Sequence, residues 1–145
     1  MSENVKYYLE DLKVGMTATT TAIITEEMIN TFADITGDHN PVHVDAEFAK
    51  TTQFGQRIAH GALSASFISA VLGNDLPGPG ALFVELNLRF RTPAFIGDEV
   101  IAVAEVAEIN ERSGKVKMRC YCEVNGKKTC RGDAGVFVSK RPTTD

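Results

Sequence analysis

The spacing of hydrophobic residues changes once along this chain, from a helical period in its first half to a period of two in its second half. Ahead of the helical part, the stretch Met16–Ile24 is rich in threonine, isoleucine and alanine. Its β-branched residues are typical of a strand, and the mixed polarity suits a strand at a sheet edge. We therefore predict a first strand there.

A first helix is predicted between Thr25 and Gly37. Thr25 can cap its first turn, where two glutamates suit the positive end of the helix dipole. Gly37 suits its end, because glycine readily adopts the left-handed conformation found at helix C-termini. One helical face carries the hydrophobic residues Met28, Ile29, Phe32 and Ile35. A further helical turn is predicted at Ala46–Lys50.

A second helix, Ala62–Leu72, is hydrophobic nearly all round, with only serines interrupting the pattern. It follows His60-Gly61 and is closed by Gly73-Asn74. A helix with this pattern is buried on most of its sides. It is therefore the predicted centre of the core.

Alternation of hydrophobic and polar residues predicts four long antiparallel strands in the second half. They cover residues 82–91, 100–109, 116–124 and 130–138, and the first of them is predicted to be half-buried. In the second, the hydrophobic parity shifts near Val106-Ala107, which predicts a β-bulge.

The turn at Asn125-Gly126 decides how the last two strands are paired. A two-residue turn would pair even-numbered positions with odd-numbered ones, and would set the hydrophobic face of one strand against the polar face of the other. A three-residue loop with Gly126 in the left-handed conformation keeps both hydrophobic faces on the same side. We predict that loop, or a bulge close to it.

These elements predict an α+β fold in which a curved antiparallel sheet wraps around the central buried helix. At 145 residues, the chain has room for a single domain, residues 1–145, with one sizeable core. A sheet that curls around one helix leaves its far side to be covered. A second copy of the chain is the simple candidate, so we expect a homodimer or a higher homo-oligomer.

The charge and composition of the chain limit the classes of partner that it is expected to bind. A net charge of -4 and a pI near 5.4 give no general attraction to nucleic acid or to anionic membranes. No stretch approaches the roughly 20 consecutive apolar residues of a membrane helix, and no N-terminal signal peptide is evident, so we expect a cytoplasmic protein. The three cysteines fall on strand positions and are predicted to be free thiols of the core: Cys120, Cys122 and Cys130.

The densest group of polar and ionisable residues is the segment Thr36–Asp45. Asp38 and His43 lie five positions apart, and Pro41 between them bends the chain so that both side chains can reach one point. A carboxylate and an imidazole directed at one water can remove its proton while it attacks an electrophile. Asn40 can hydrogen-bond within the loop and hold its shape.

Two other interpretations of this segment stay open on spacing alone. The same residues fit a purely structural turn in which Asp38 caps, Asn40 forms an Asx-turn and His43 is a hydrogen-bonded, partly buried histidine. A metal site could instead use His39, His43 and Asp45, but the proline between the histidines disrupts the helical spacing that such a pair requires.

The segment Phe32–Asp45, followed by Phe48-Ala49, resembles the signature of the MaoC-like hydratases, the (R)-specific enoyl-CoA hydratases. Ile58–Gly61 and Leu88–Val100 follow the family's order of segments, and the similarity extends from about Leu9 to Lys140. The resemblance implies a hot-dog fold, with a helical and loop overhang that carries the active site, near the subunit interface of a dimer.

The resemblance further implies the reversible addition of water to a trans-2-enoyl-CoA, in fatty-acid or polyhydroxyalkanoate metabolism. Asp38 and His43 would activate the water, while the N–H of Gly61 would stabilise the thioester oxyanion at the start of the buried helix. Ser69 and Asn40 would contact the substrate. No metal or redox cofactor is implied, because coenzyme A is part of the substrate.

Several assignments stay open. His60 is either a structural hydrogen-bonding residue or a third catalyst, and the floor of the acyl tunnel is placed near Leu72. The cations that could meet the phosphates of coenzyme A are Arg57, Arg89, Arg91 and Lys50. The alternative functions are an acyl-carrier-protein dehydratase, a hot-dog thioesterase, and a non-catalytic acyl-thioester-binding subunit.

Overall fold

The computed structural model describes residues 4–143, so residues 1–3 and 144–145 of the predicted domain lie outside the described part. After a 3-10 turn at Leu9–Asp11, strand β1 covers Thr17–Ile23 and helix α1 covers Glu26–Thr36. The hydroxyl of Thr25 accepts a hydrogen bond from the N–H of Met28, and Gly37 ends the helix with a φ of 82°. Both predicted ends of this helix are confirmed.

The segment after Gly37 is more regular than the predicted loop. It forms the short helices α2, Pro41–Val44, and α3, Ala46–Lys50. The fixed φ of Pro41 suits the first position of a helix, where its missing N–H costs no hydrogen bond. The predicted helical turn at the second of these sites is confirmed.

Helix α4, Gly61–Asn74, is the predicted hydrophobic helix and packs against the sheet. Its buried residues are Leu63, Ser64, Ile68, Val71 and Leu72. Within residues 4–143, the search for a helix with the length and hydrophobicity of a membrane span finds none.

The remaining strands are β2, Leu82–Phe90, β3, Glu99–Ile109, β4, Lys115–Val124, and β5, Lys127–Phe137. They form one antiparallel sheet with β1, in the order β1-β3-β4-β5-β2, so β1 lies at an edge as predicted. The even-numbered residues from Val100 to Val106 in β3 and from Val116 to Cys122 in β4 fill the core, and all three cysteines are buried and free, as predicted. The hot-dog fold is confirmed.

The register of the sheet shifts near both predicted places, in β3 and next to the last turn. In β3 the register shifts between Val106 and Glu108, which confirms the bulge. The last turn is a two-residue turn with Asn125 and Gly126 at φ values of 51° and 80°, so the three-residue loop is wrong and the alternative prediction, a bulge close to the turn, is confirmed. A bulge between Cys122 and Glu123 restores the parity and pairs Cys122 with Cys130.

The prediction that β2 is half-buried is wrong for the single chain. Strand β2 is exposed along nearly its whole length, since it is the second edge of the sheet and only β5 pairs with it. Ile35 is 78% exposed although it falls on the hydrophobic face of α1. It lies in the last turn of that helix, whose buried contacts are made earlier by Ile29 and Ala33.

Candidate active site

Hydrogen bonds between residues two positions apart stabilise the turn that carries Asp38. The N–H of Asp38 donates to the hydroxyl of Thr36, and the Asp38 carboxylate accepts from the N–H of Asn40, each at 3.2 Å. The Asn40 side chain in turn accepts from the N–H of Val42 at 3.2 Å and so caps α2. Asn40 therefore holds the shape of the turn, as the sequence predicted, and leaves the Asp38 carboxylate exposed to solvent.

His43 is held in a defined tautomer. Its Nδ1 lies 2.8 Å from the carbonyl oxygen of Ile58. A carbonyl can only accept a hydrogen bond, so Nδ1 carries the proton and Nε2 of the neutral ring keeps a free lone pair. Burial of the ring lowers the pKa of His43, and the hydrogen bond to Ile58 opposes that change. The ring is therefore poised to accept a proton.

Asp38 and His43 meet, and the buried His60 lies with them. One carboxylate oxygen of Asp38 and one ring nitrogen of each histidine lie within 4.8 Å of one another. His60 is 1% exposed, and its Nε2 lies 3.0 Å from the carbonyl oxygen of Asp38. This position supports the hydrogen-bonding role predicted for His60 and not the role of a third catalyst.

The alternative metal set is not brought together. Within residues 4–143, the set of ligand atoms close enough to share an ion does not include His39 or Asp45, and His39 pairs with Asp34 at 3.0 Å on the surface. The side chain of Asp45 caps α3 by accepting from the N–H of Phe48 at 3.1 Å. Its carboxylate and the His39 ring are therefore both engaged outside the cluster around Asp38.

Gly61 brings a free donor to the site. It is the first residue of α4, and its N–H makes no hydrogen bond within the described residues. The first amides of a helix lack partners inside the helix and carry the positive end of its dipole. The ring of Phe90 lies close by, so that a Cβ at Gly61 would come within 3.1 Å of it.

A cavity of about 460 Å³ adjoins this group. His43 and Gly61 line it, together with hydrophobic side chains that include Phe54, Ile58 and Phe90. A second hollow, of about 630 Å³, lies on the outer face of the sheet among ion-paired residues such as Glu85 and Lys115. This second hollow is not lined by Asp38, His43, His60 or Gly61, so the cavity of about 460 Å³ is the candidate binding site.

Ser69 does not line this cavity, although the resemblance implies that it contacts the substrate. It lies half-buried, eight positions along α4 from Gly61. Ser64 of the first turns of α4 lines the cavity instead. Leu72, the predicted tunnel floor, is buried and does not line it either. The helical period alone could have suggested Ser64, which lies three positions after Gly61.

Arg57 is a structural residue and not the predicted phosphate ligand. It is only 7% exposed, and its guanidinium donates to the carbonyl oxygen of His43 at 2.5 Å. Its remaining donors reach Glu26 at 2.8 Å and Asn30 at 2.7 Å, both on α1. Arg57 thus fastens α2 to α1 beneath the site. Sequence gave no signal for this contact, because the partners are about 30 positions away.

The other three candidate cations are exposed. Lys50 pairs with Glu47 at 3.1 Å. Arg89 and Arg91 form no ion pair within residues 4–143, and Arg91 lines the cavity. Arg131 lies directly opposite Arg89 on the neighbouring strand, which the sequence analysis did not identify.

Comparison with known proteins gives consistent results. A family model described as a MaoC-like domain matches residues 11–128. A 3-hydroxybutyryl-CoA dehydratase of Methylorubrum extorquens is 44% identical over 95% of this chain and 88% of its own length. An (R)-specific enoyl-CoA hydratase of Rhodospirillum rubrum is 45% identical over 94% of this chain and 95% of its own length.

Two solved structures are similar in fold as well as in sequence. The R-hydratase PhaJ1 from Pseudomonas aeruginosa is 38% identical, with a TM-score of 0.87, and the match covers 92% of this chain and 86% of that one. An (R)-hydratase from A. caviae, described as involved in PHA biosynthesis, is 35% identical with the same TM-score. That match covers 89% of this chain and 98% of the other.

Proposed function

Because this chain belongs to the MaoC-like domain family, we propose that it is an (R)-specific enoyl-CoA hydratase, which adds water reversibly to a trans-2-enoyl-CoA. The observation that carries this proposal is the grouping of the Asp38 carboxylate with the His43 ring beside the cavity. Both groups can accept a proton, and neither is blocked by an ion pair within residues 4–143.

The chemistry assigned to the pair is acid–base catalysis. A water held by Asp38 and by Nε2 of His43 loses a proton to the pair as its oxygen bonds to Cβ of the enoyl group. The electrons of the double bond move toward Cα and the thioester oxygen. The pair then returns one proton to Cα, a step that we assign to Asp38. The pair ends the cycle in its initial protonation state.

The negative charge on the thioester oxygen requires a fixed donor. We assign this role to the N–H of Gly61, which has no other partner within the described residues and lies at a helix N-terminus. The absence of a side chain at Gly61 lets the thioester approach the backbone closely. Contacts of the substrate with Asn40 and Ser69 belong to the same proposal, although neither residue lines the cavity.

Crotonyl-CoA tests the function directly. The purified protein should abolish the absorbance of the enoyl thioester without releasing free thiol, and dialysis against EDTA should not change the rate. Release of thiol would indicate the thioesterase, and no change with any acyl length would indicate the non-catalytic binder. A carrier-protein dehydratase would act at lower KM on the acyl-carrier-protein thioester than on the CoA thioester.

The pH dependence of kcat/KM should report the state of His43. Burial lowers the pKa of His43 from its ordinary value of 6.5, and a general base must be neutral. For hydration of crotonyl-CoA we therefore expect the acidic limb of kcat/KM to have its midpoint below pH 6.5. His39→Gln is the control, because the ion pair with Asp34 raises the pKa of that exposed histidine. A midpoint above pH 6.5 that persists in the control would contradict the assignment.

Exposed arginines on and near β2, of which Arg91 lines the cavity, support coenzyme A as the carrier. Arg89 and Arg91 lie on the last part of β2 and just after it, and Arg131 faces Arg89 across the strands. Their lack of ion-pair partners within the described residues leaves a local positive charge on a chain of net charge -4. We assign this group to the phosphates of the substrate.

The double variant R89Q/R91Q is expected to raise KM for crotonyl-CoA by about fivefold, since exposed charge pairs contribute up to about 1 kcal/mol. KM for crotonyl-N-acetylcysteamine, which has no phosphate, should not change. R112Q is the control, because Arg112 is an exposed arginine in the turn between β3 and β4. An equal rise in KM for both substrates would exclude phosphate binding.

A homodimer is the proposed assembly. The edge strand β2 exposes Leu82, Phe83, Val84, Leu86 and Phe90, by between 39% and 63%. A long hydrophobic edge strand with unpaired backbone groups pairs readily with another strand. A second copy, related by a two-fold axis, can place its own β2 beside this one.

Val84→Lys should therefore lower the mass in solution from twice 15.7 kDa toward that of one chain, as measured by light scattering. Thr19→Lys provides the matched control on the other edge of the sheet, where β1 is exposed but polar. An unchanged mass for Val84→Lys, or an equal loss for both variants, would contradict pairing through β2.

A further inference from the structure

His60 is the residue before α4, and it is almost completely buried beneath the catalytic turn. Its Nε2 lies 3.0 Å from the carbonyl oxygen of Asp38, so this nitrogen carries a proton and donates it. Its Nδ1 is the one buried side-chain nitrogen or oxygen within residues 4–143 that has no hydrogen-bond partner. His60 thus has one nitrogen engaged with the catalytic turn and one unpaired.

The ring of His60 also contacts the second member of the pair. It stacks on His43 with ring centroids 4.0 Å apart and an angle of 27° between the planes. Phe32 of α1 contacts it at 4.9 Å with a tilt of 57°. The His60 side chain therefore contacts both members of the pair: the backbone carbonyl of Asp38 and the imidazole ring of His43.

The backbone around His60 is itself fixed. The N–H of Ala59 donates to the carbonyl oxygen of Ala94 at 2.8 Å, and the N–H of Ile58 donates to that of Val42 at 3.2 Å. The carbonyl of Ile58 orients His43, and the residue after His60 is Gly61. One short segment, residues 58–61, therefore touches every part of the site.

We propose that His60 is a positioning residue, which sets the distance and angle between Asp38 and His43 without touching the substrate. The proposal rests on the proposed function of the pair. Its hydrogen bond fixes the turn at Asp38, and its ring limits the rotation of His43. Holding two catalytic groups in reacting geometry contributes strongly to rate, and a displacement of about 1 Å can cost about 100-fold.

The unpaired Nδ1 of His60 allows an experiment to distinguish a positioning role from a role in packing alone. A buried acceptor without a donor destabilises the folded state. A residue that served packing alone would be replaced favourably by a hydrocarbon ring of similar shape. His60→Phe should therefore leave the Tm unchanged or raise it, while activity falls. If His60 only filled space, His60→Phe would keep its kcat as well as its Tm.

Two variants separate the hydrogen bond from the ring contact. His60→Phe keeps a ring and loses the donor, and we expect kcat for crotonyl-CoA to fall about 10- to 100-fold with KM within about twofold of the wild type. His60→Gln keeps an N–H that can reach the carbonyl of Asp38 and loses the ring, and a smaller loss is expected. Val116→Ala is the control for stability, since it opens a buried site at the opposite end of the sheet. It should lower the Tm and leave kcat unchanged.

Values of kcat within about twofold of the wild type in both variants would overturn the proposal, and so would a rise in KM at constant kcat. A measurement on the wild-type protein alone keeps the test valid if a variant fails to fold. In ¹⁵N-histidine spectra, His60 should be protonated at Nε2 and His43 at Nδ1. An Nδ1–H tautomer at His60 would overturn the proposal. This spectrum is independent of activity, so a protein inactive on every enoyl thioester would refute the proposed function without deciding the role of His60.

Discussion

Asp38→Asn is expected to lower kcat for the hydration of crotonyl-CoA by about 10²–10⁴-fold, which is the usual contribution of a general acid–base group. The amide can neither take the proton of the water nor return one to Cα. Its shape is nearly that of the carboxylate, and its oxygen can still accept the hydrogen bond from the N–H of Asn40. The loss should therefore come from chemistry and not from a change of the turn.

Steady-state rates with purified Asp38→Asn, and a circular dichroism spectrum identical to that of the wild type, would test this prediction. Asp34→Asn is the matched control, because Asp34 is an exposed carboxylate four residues earlier that pairs with His39. An exposed ion pair of this kind contributes about 0–1 kcal/mol, so the control should keep full activity. His43→Gln should lose activity over the same range as Asp38→Asn. Near-normal kcat in either variant of the pair would remove that residue from the mechanism.

The sequence predicts those parts of the fold that local patterns determine. The cap at Thr25 and the left-handed Gly37 bound α1 as expected, because each end depends on residues within one turn. The bulge in β3 was visible as a change of hydrophobic parity at Val106. The last turn was only half predicted. Parity required one extra residue, but it could not show whether that residue lies in the turn or, as found, in the strand.

Burial on the outer parts of the molecule could not be predicted in this way. The alternation of β2 indicates that one face is covered, yet the sheet order places this strand at an edge, where a single chain leaves it exposed. The pattern in the sequence reflects the assembled protein if a second copy covers this strand. Ile35, at the end of α1, is likewise a hydrophobic residue that the single chain leaves exposed, by 78%.

In the site, too, local contacts could be predicted from the sequence and long-range contacts could not. Asp38, Asn40 and His43 lie within six residues, and the bend at Pro41 brings them together by local geometry. The contacts of Arg57 and His60 join segments 14 to 31 positions apart, and residue type alone made Arg57 a candidate for the phosphates of coenzyme A. Those contacts hold the segments around the pair, and they follow only from the tertiary structure.

Gly61→Pro is expected to lower kcat/KM for crotonyl-CoA by about 10²–10³-fold, the loss typical of removing one oxyanion donor. Proline has no N–H, and its ring occupies the place of the hydrogen that would meet the thioester oxygen. The helix should tolerate it, since proline is favourable at the first helical position. His60, the residue before it, has φ of -61° and ψ of 137°, which is the conformation preferred ahead of proline.

Gly61→Ala is the matched control, because it adds a Cβ and keeps the N–H. That Cβ would lie 3.1 Å from the ring of Phe90, which is 55% exposed and can move aside. The alanine variant should therefore lose less than about tenfold, a small part of the loss expected for an oxyanion donor. Equal losses in the two variants would show that space around Phe90, and not the donor, limits the reaction. A proline variant as active as the wild type would place the oxyanion donor on another residue.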